Sequence, residues 1–347
     1  MTPTTTRPGT PPGARPAVLA IDGGNSKIDA VLVSHDGRLL HSARGGGFRP
    51  QATGVAAALS TLDEVVAALL PGHGDRPGPV VEHVSAYLAG ADLPEEEIAL
   101  QQALAARGWG NSTHVGNDTF ALLRAGASTG WGVAVVCGSG INCVGIGPDG
   151  RTTRFPALGR RTGDWGGGFF LGEEALWWAV RAEDGRGPHT SLATAVPAHF
   201  GMARAGDVGI AMFTGRLDDG RLNELAPLLF AEAEAGDPVA ARLVTRLAEE
   251  VTALGVTALR RLDLLGTRTE IVLGGGVLAR PDASLMHQIE RLYATDAPHA
   301  VLRMLTAPPV LGAALLGLDH LGPLDGAEQR LRAQFTDVPD GGSRETA

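Results

Sequence analysis

Two short glycine-broken hairpins, separated by the length of a small domain, constrain this chain more than anything else in it. One is Val133-Ala-Val-Val-Cys-Gly-Ser-Gly-Ile-Asn-Cys-Val-Gly-Ile-Gly-Pro-Asp-Gly-Arg151. The other is Val18-Leu-Ala-Ile-Asp-Gly-Gly-Asn-Ser-Lys-Ile-Asp-Ala-Val-Leu-Val-Ser-His-Asp-Gly-Arg38. Each is a β-branched run, a glycine turn, a second apolar run and Asp-Gly-Arg, the pattern of paired strands. Glycines beside a turn let the backbone approach a ligand and point N–H groups at phosphate oxygens. A tight turn that binds nothing explains either copy alone. The repeat favours a duplicated α/β domain with a phosphate loop in each half and a polyphosphate nucleotide clamped between the halves.

At 347 residues the chain has room for two ordinary domains, and 44% hydrophobic content supplies them with a core. A formal charge of −9 argues against nucleic acid as a partner. No uninterrupted apolar stretch of about 18 residues suggests a membrane span, and the N-terminus has no secretory pattern. Cys137 and Cys143, the two cysteines, read as reduced core thiols of a cytoplasmic protein. No Gly-x-x-x-x-Gly-Lys-Ser/Thr loop, His-Glu-x-x-His or Cys-x-x-Cys occurs.

Along the chain, residues 1–15 read as a disordered tail and 16–127 as a first α/β domain. Within it a helix is expected from Thr53 to Leu70, an acidic one from Pro94 to Arg107, and another from Phe120 to Ala127. Residues 128–306 form a second domain with a helical insertion. A small-residue helix at 307–322 would return to the first domain, and 323–347 would be a mobile tail.

Asp22 ends an apolar run before two glycines, where it is either an Asx-turn former or a carboxylate holding a metal-bound water beside phosphates. Lys27 is either a surface lysine or a phosphate contact. Asp118, after Asn117 at a helix start, is either a helix cap or a general base for a substrate hydroxyl. Gly274-Gly275-Gly276 follows a strand as many phosphate loops do; placed third after two phosphate hairpins, it reads rather as an opening for a flat adenine ring. Asp164, between Gly163 and Trp165, is either part of a flexible loop or a ligand contact.

Ile21-Asp-Gly-Gly-Asn-Ser-Lys-Ile-Asp29, Asn117-Asp118, Gly138-Ser-Gly-Ile-Asn-Cys143, Gly163-Asp164 and Leu273-Gly-Gly-Gly276 follow one another in order. Together they resemble the N-acetylglucosamine kinases of the BadF/BadG/BcrA/BcrD ATPase group, within the actin/hexokinase/Hsp70 superfamily. The resemblance implies two ribonuclease-H-like (actin-like ATPase) domains around a nucleotide cleft, and phosphoryl transfer from ATP with Mg²⁺ to a sugar hydroxyl, O6 first. It makes Asp118 the catalytic base and Asp22 the metal-side carboxylate. Asp22, Gly23, Gly24, Asn25, Ser26, Lys27, Gly138, Ser139 and Gly140 would meet the phosphates, and Gly274, Gly275 and Gly276 the adenosine. Asn117, Asp118, Asn142, Cys143 and Asp164 would line the sugar. Where the group has Gly-Gly-Gly-Thr-Lys-Thr, this chain has Gly23-Gly24-Asn25-Ser26-Lys27-Ile28. Its sugar loop is Gly47-Phe48-Arg49-Pro50-Gln51, and Trp165 replaces an acidic residue. The expected partner is a small-molecule sugar; a homodimer stays open. Glucosamine or another hexose is the alternative substrate. A further alternative is an activator of a radical dehydratase, with an iron–sulfur cluster bridged by cysteines.

Overall fold

The computed structural model describes residues 4–6, 15–70, 78–279 and 283–336. In chain order it contains β1 (Thr4–Thr6), β2 (Pro16–Gly23), β3 (Ile28–Ser34), β4 (Leu39–Gly45), α1 (Pro50–Thr53), α2 (Val55–Leu69), β5 (Val81–Leu88), α3 (Pro94–Ala105), β6 (Gly110–Asn117) and α4 (Asp118–Gly126). Then come β7 (Gly132–Cys137), β8 (Ile141–Ile146), β9 (Thr152–Arg154), α5 (Gly168–Glu183), α6 (Leu192–His199), α7 (Ala205–Phe213), α8 (Leu225–Glu234) and α9 (Pro238–Arg261). The remainder is β10 (Thr269–Gly274), α10 (Ala283–Asp296), β11 (Ala300–Met304), α11 (Pro309–Leu321) and α12 (Ala327–Thr336). The chain divides into two compact units, Met1–Gly130 with Leu305–Ala347, and Trp131–Met304.

The first unit holds a sheet ordered β1-β4-β3-β2-β5-β6 and the second a sheet ordered β11-β10-β7-β8-β9. In both, the leading strand pairs antiparallel with the next, which pairs antiparallel with a third, while its other edge takes two parallel strands in succession. The repeated hairpin is thus the start of a repeated ribonuclease-H-like sheet, extended by a third strand in each unit. Those third strands, β4 and β9, escape a sequence reading because they are polar or short: His41, Ser42 and Arg44 interrupt one, and Thr152–Arg154 is the other.

In the first unit the sheet is covered on both faces. Alternate residues Leu19, Ile21, Ala30 and Leu32 pack with Leu59, Leu62, Val65, Val66 and Leu69 of α2 and with Leu100 and Leu104 of α3. The opposite residues Val18, Ala20, Val31 and Val33 pack with Val310, Leu311, Ala314, Leu315 and Leu318 of α11. Period-two strands between period-3.6 helices produce this division. The helix expected from Thr53 to Leu70 is interrupted at Gly54, whose φ of 84° is left-handed, so α2 starts afresh at Val55.

In the second unit α9 carries a long apolar stripe onto β7 and β8, and α5, α6 and α8 join the same core. Asp237 starts α9 by accepting from Val239 N (3.0 Å) and Ala240 N (2.8 Å), with Pro238 at the first position. Strand β11 is a parallel edge to β10 that its Arg303 disguises in the sequence.

Both expected tails need correction where the structure describes them. Thr4–Thr6 pair antiparallel with Ser42–Arg44 as an edge strand, while residues 7–14 lie outside the described residues. Residues 327–336 form α12, which buries Ala327 and Leu331. Arg124, only 7% exposed, holds it through Glu328 (2.7 Å) and ties it to Asp319 of α11 (2.8 Å). Arg332 also donates to the Arg124, Ala125 and Ala127 carbonyls that end α4. These arginine contacts add to an apolar stripe, in which Ala327 and Leu331 are buried in the core and Phe335 packs against it. Residues 337–347 lie outside the described set.

Candidate functional site

In open α/β sheets, ligands gather at the carboxyl ends of strands where the chain's direction of winding reverses. In the first unit that point is β2, with β3 on one side and β5 on the other. Gly23, Leu88 and Asn117 stand in register across β2, β5 and β6, so Asp22, the β2–β3 turn and the start of α4 lie along one sheet edge.

The turn is built from its own backbone. Gly24 N donates to Lys27 O (2.9 Å), Phe48 N to Gly24 O (2.9 Å) and Ala89 N to Gly23 O (2.7 Å). Gly23 is closely packed: a Cβ there would meet Leu88 Cδ2 at 2.6 Å, so the buried Leu88 side chain would have to shift. Asn25 and Ser26 are exposed, and no described protein group accepts from their N–H groups. Lys27 Nζ sits 2.9 Å from Asp29, which Arg44 also binds. Phe48 of the Gly47–Gln51 loop is fully buried and anchors it, leaving Arg49 and Gln51 outward.

Asp22 is buried (7% exposed). Burial, then the Asp118 and Asp29 carboxylates, push it well above the usual carboxylate range against the pull of Lys27 and Arg44. Asn117, not Asp118, is the helix cap: its Oδ1 accepts from Thr119 N at 3.1 Å. Asp118 is therefore the first residue of α4, half-buried, with a carboxylate that the capping does not consume. Burial lifts it to about 6, opposed by hydrogen bonds from Thr119 and from its own backbone. A carboxyl group that ionises near neutrality beside a second carboxylate suits a general base.

In the second unit three glycine stretches converge. Gly168 N donates to Gly138 O (2.7 Å), Phe169 N to Ser139 O (3.0 Å) and Val277 N to Cys137 O (2.9 Å). Gly275, at φ 91°, lies so close to Cys137 that a Cβ would overlap its backbone. By contrast nothing lies within 4 Å of a Cβ built on Gly138, Gly140 or Gly276. Among the described residues no group accepts from Ser139 or Gly140 N–H. Open space over free N–H groups is what an approaching anion needs.

Two expectations for this unit change. Cys143 has no exposed surface and packs in the core with Ile141, Leu259 and Ile271, so it cannot line a sugar. The alternation of β8 turns it inward while Asn142 faces the other way, half-buried, its Oδ1 taking the Cys143 N–H at 2.7 Å. Cys137 is equally buried, and its thiol is pushed up to about 12 by burial despite a hydrogen bond from Gly167. Neither free cysteine is placed to bridge a cluster to another subunit. Asp164 Oδ2 accepts from Thr162 Oγ1 at 2.5 Å within the 159–164 turn. Trp165 is buried, with its Nε1 3.3 Å from Glu174 and Arg246 over its ring.

Sequence reasoning overlooked Asp29 and Asp92. Asp92 Oδ1 accepts from Asn117 Nδ2 at 2.8 Å. A usable signal existed: Leu88-Ala-Gly-Ala-Asp92 puts a carboxylate just past the end of a strand, as in the β2 turn.

Residues 19–317 match the BadF/BadG/BcrA/BcrD ATPase family. The chain belongs to that family. It is 23% identical over 313 residues to the N-acetyl-D-glucosamine kinase of Dictyostelium discoideum, covering 87% of this chain and 97% of the relative. It is 24% identical over 264 residues to the N-acetylmuramic acid/N-acetylglucosamine kinase of Clostridium acetobutylicum, covering 75% and 85%. The fold is similar to the crystal structure of a candidate N-acetylglucosamine kinase from Chromobacterium violaceum, with a TM-score of 0.67, 22% identity and coverage of 87% and 99%. No helix among the described residues is long and apolar enough to cross a membrane.

Proposed function

We propose that this chain is a cytoplasmic, ATP-dependent sugar kinase that phosphorylates N-acetylglucosamine at O6. The observation that carries the reading is Asp118 at the start of α4, lifted to about 6 beside Asp22, on a fold whose family is named for ATPases. Both named relatives act on N-acetylglucosamine, which supports the amino sugar over plain glucose. In this mechanism Asp118 takes the proton from the attacking hydroxyl. Asn25 and Ser26 N–H, with Lys27, receive phosphate oxygens on the first unit, and Ser139 and Gly140 N–H on the second. Gly274–Gly276 accommodates the adenosine, and Asn117, Asn142 and Asp164 orient the sugar.

Mg²⁺ suits this donor set. Asp22 is a buried carboxylate crowded by two others, and among the described residues no group of three His, Cys, Asp or Glu forms a self-sufficient metal cage. A cation held by Asp22 therefore needs phosphate and water oxygens as its other ligands, which is the usual state of Mg²⁺. When bound it neutralises charge on the phosphates.

An ADP-release screen across hexoses, amino sugars and N-acetyl sugars tests the reading. N-acetylglucosamine should give the highest kcat/KM, and phosphorus–proton coupling in the product should fall on C6. Glucose or a non-sugar ahead by about tenfold, a difference of about 1.4 kcal/mol, would remove the amino-sugar assignment.

A further inference from the structure

The Asp92–Asn117 contact has a role within the proposed reaction, and its argument rests on that reading. Asn117 is 3% exposed, and its amide serves two masters. Its Oδ1 caps Thr119 N at 3.1 Å, and its Nδ2 donates to Asp92 Oδ1 at 2.8 Å. Only the nitrogen end can donate, so an acceptor at Asp92 dictates which end is left for the cap. Asp92 is itself fixed: its N–H and that of Leu93 both donate to Glu96 Oε2 at 3.0 Å. Pro94 then starts α3. The strands beneath are parallel neighbours, with Leu88 opposite Asn117, so the connection after β5 reaches the end of β6 directly.

We propose that Asp92 is a positioning residue for Asp118, acting through Asn117. With the amide locked, the Thr119 N–H is satisfied and the first turn of α4 is held, and Asp118 is the first residue of that turn. Loss of the Asp92 acceptor removes the contact that selects this orientation of the amide, and a flip presenting Nδ2 to the Thr119 N–H would undo the cap. The base then loses its fixed place, and small misplacements of a reacting group cost rate steeply.

The test compares Asp92→Ala with Asp92→Asn in the full chain. Asparagine keeps an acceptor oxygen, so D92N should stay within about threefold of native kcat. D92A should lower kcat by about tenfold or more while sugar KM moves by less than about threefold. In an Asn117→Ala background D92A should add nothing further, because the two act as one unit. Amide exchange at Thr119, followed in the ligand-free protein, should quicken in D92A and not in D92N. Native kcat in D92A would overturn the proposal. So would a raised KM at unchanged kcat, which would make Asp92 a sugar contact, and so would D92N as impaired as D92A, which would make its charge the point. If the native protein phosphorylates no sugar, the kinase reading falls alone, and Thr119 exchange still decides the positioning: unchanged exchange in D92A overturns it.

Discussion

At the residue scale, Asp118 has two roles open to it in the sequence, and the structure separates them. Asn117 takes the cap, so Asp118→Asn leaves the capping hydrogen bond in place. What it removes is a proton acceptor, and kcat should fall by roughly 10²–10⁴. Native kcat/KM for the sugar should decline as pH drops through about 6, because only the ionised carboxylate accepts a proton. The same shift has a stability consequence. A carboxyl raised in the folded state contributes stability below its unfolded pKa and loses it as pH rises through the folded value. Asp118→Asn should therefore raise the ligand-free Tm at pH 7.5, with the gain vanishing near pH 4. Near-normal turnover in this variant would place the base elsewhere. Asp22 and Asp118 were legible as candidates because one stands beside turn glycines and the other at a helix start. Cys143 was misplaced because motif adjacency carries no information about which way a strand residue points.

At the element scale, β5 meets α11 and β6 through a histidine cluster. His83 of β5 stacks on His320 of α11, with ring centroids 4.1 Å apart and planes 19° from parallel, and its Nδ1 lies 2.8 Å from Ser112 Oγ of β6. Burial, then His320 and His114, lower His83 to about 4. Its folded pKa is thus below the ordinary value near 6.5, so the unfolded chain binds the extra proton first as pH falls. The linked stability is present above about 6.5 and is lost progressively toward about 4, on the order of 3 kcal/mol in all. This slope opposes that of Asp118 over the same range, so the native pH profile understates both. His83→Gln should remove this contribution, so that stability measured by chemical denaturation falls less between about pH 6.5 and 4 than in the native chain, and an unchanged difference would show the cluster to be electrostatically silent. Nothing in the sequence pairs His83 with His320; only the register of β5 against the last turn of α11 does so.

At the scale of the whole molecule, the repeated hairpin made two like sheets legible, and polar or short edge strands stayed hidden because they lack an apolar alternation. The closing segment is where chain order and structure part. The second unit is contiguous, Trp131–Met304, with its own sheet and core. The first is not: its core needs α11, whose Gly312 lies so close to α4 that a Cβ would overlap the Ala121 carbonyl. Val310, Leu311, Leu315 and Leu318 of α11 are buried against the sheet. At roughly 1.5–3 kcal/mol each, their burial is worth roughly 6–12 kcal/mol, comparable to the ~5–15 kcal/mol of a domain's net stability. A fragment of residues 131–304 should therefore unfold cooperatively on its own, followed by circular dichroism. A fragment of residues 1–130 should show no cooperative transition, because the face carrying Val18, Ala20, Val31 and Val33 is left uncovered. Adding a peptide of residues 305–347 in trans should restore that transition, with a midpoint that rises with peptide concentration. Cooperative unfolding of residues 1–130 without the peptide would show that the first sheet is held by its α2–α3 face alone. In that case α11 would be a covering element and not part of the folding unit.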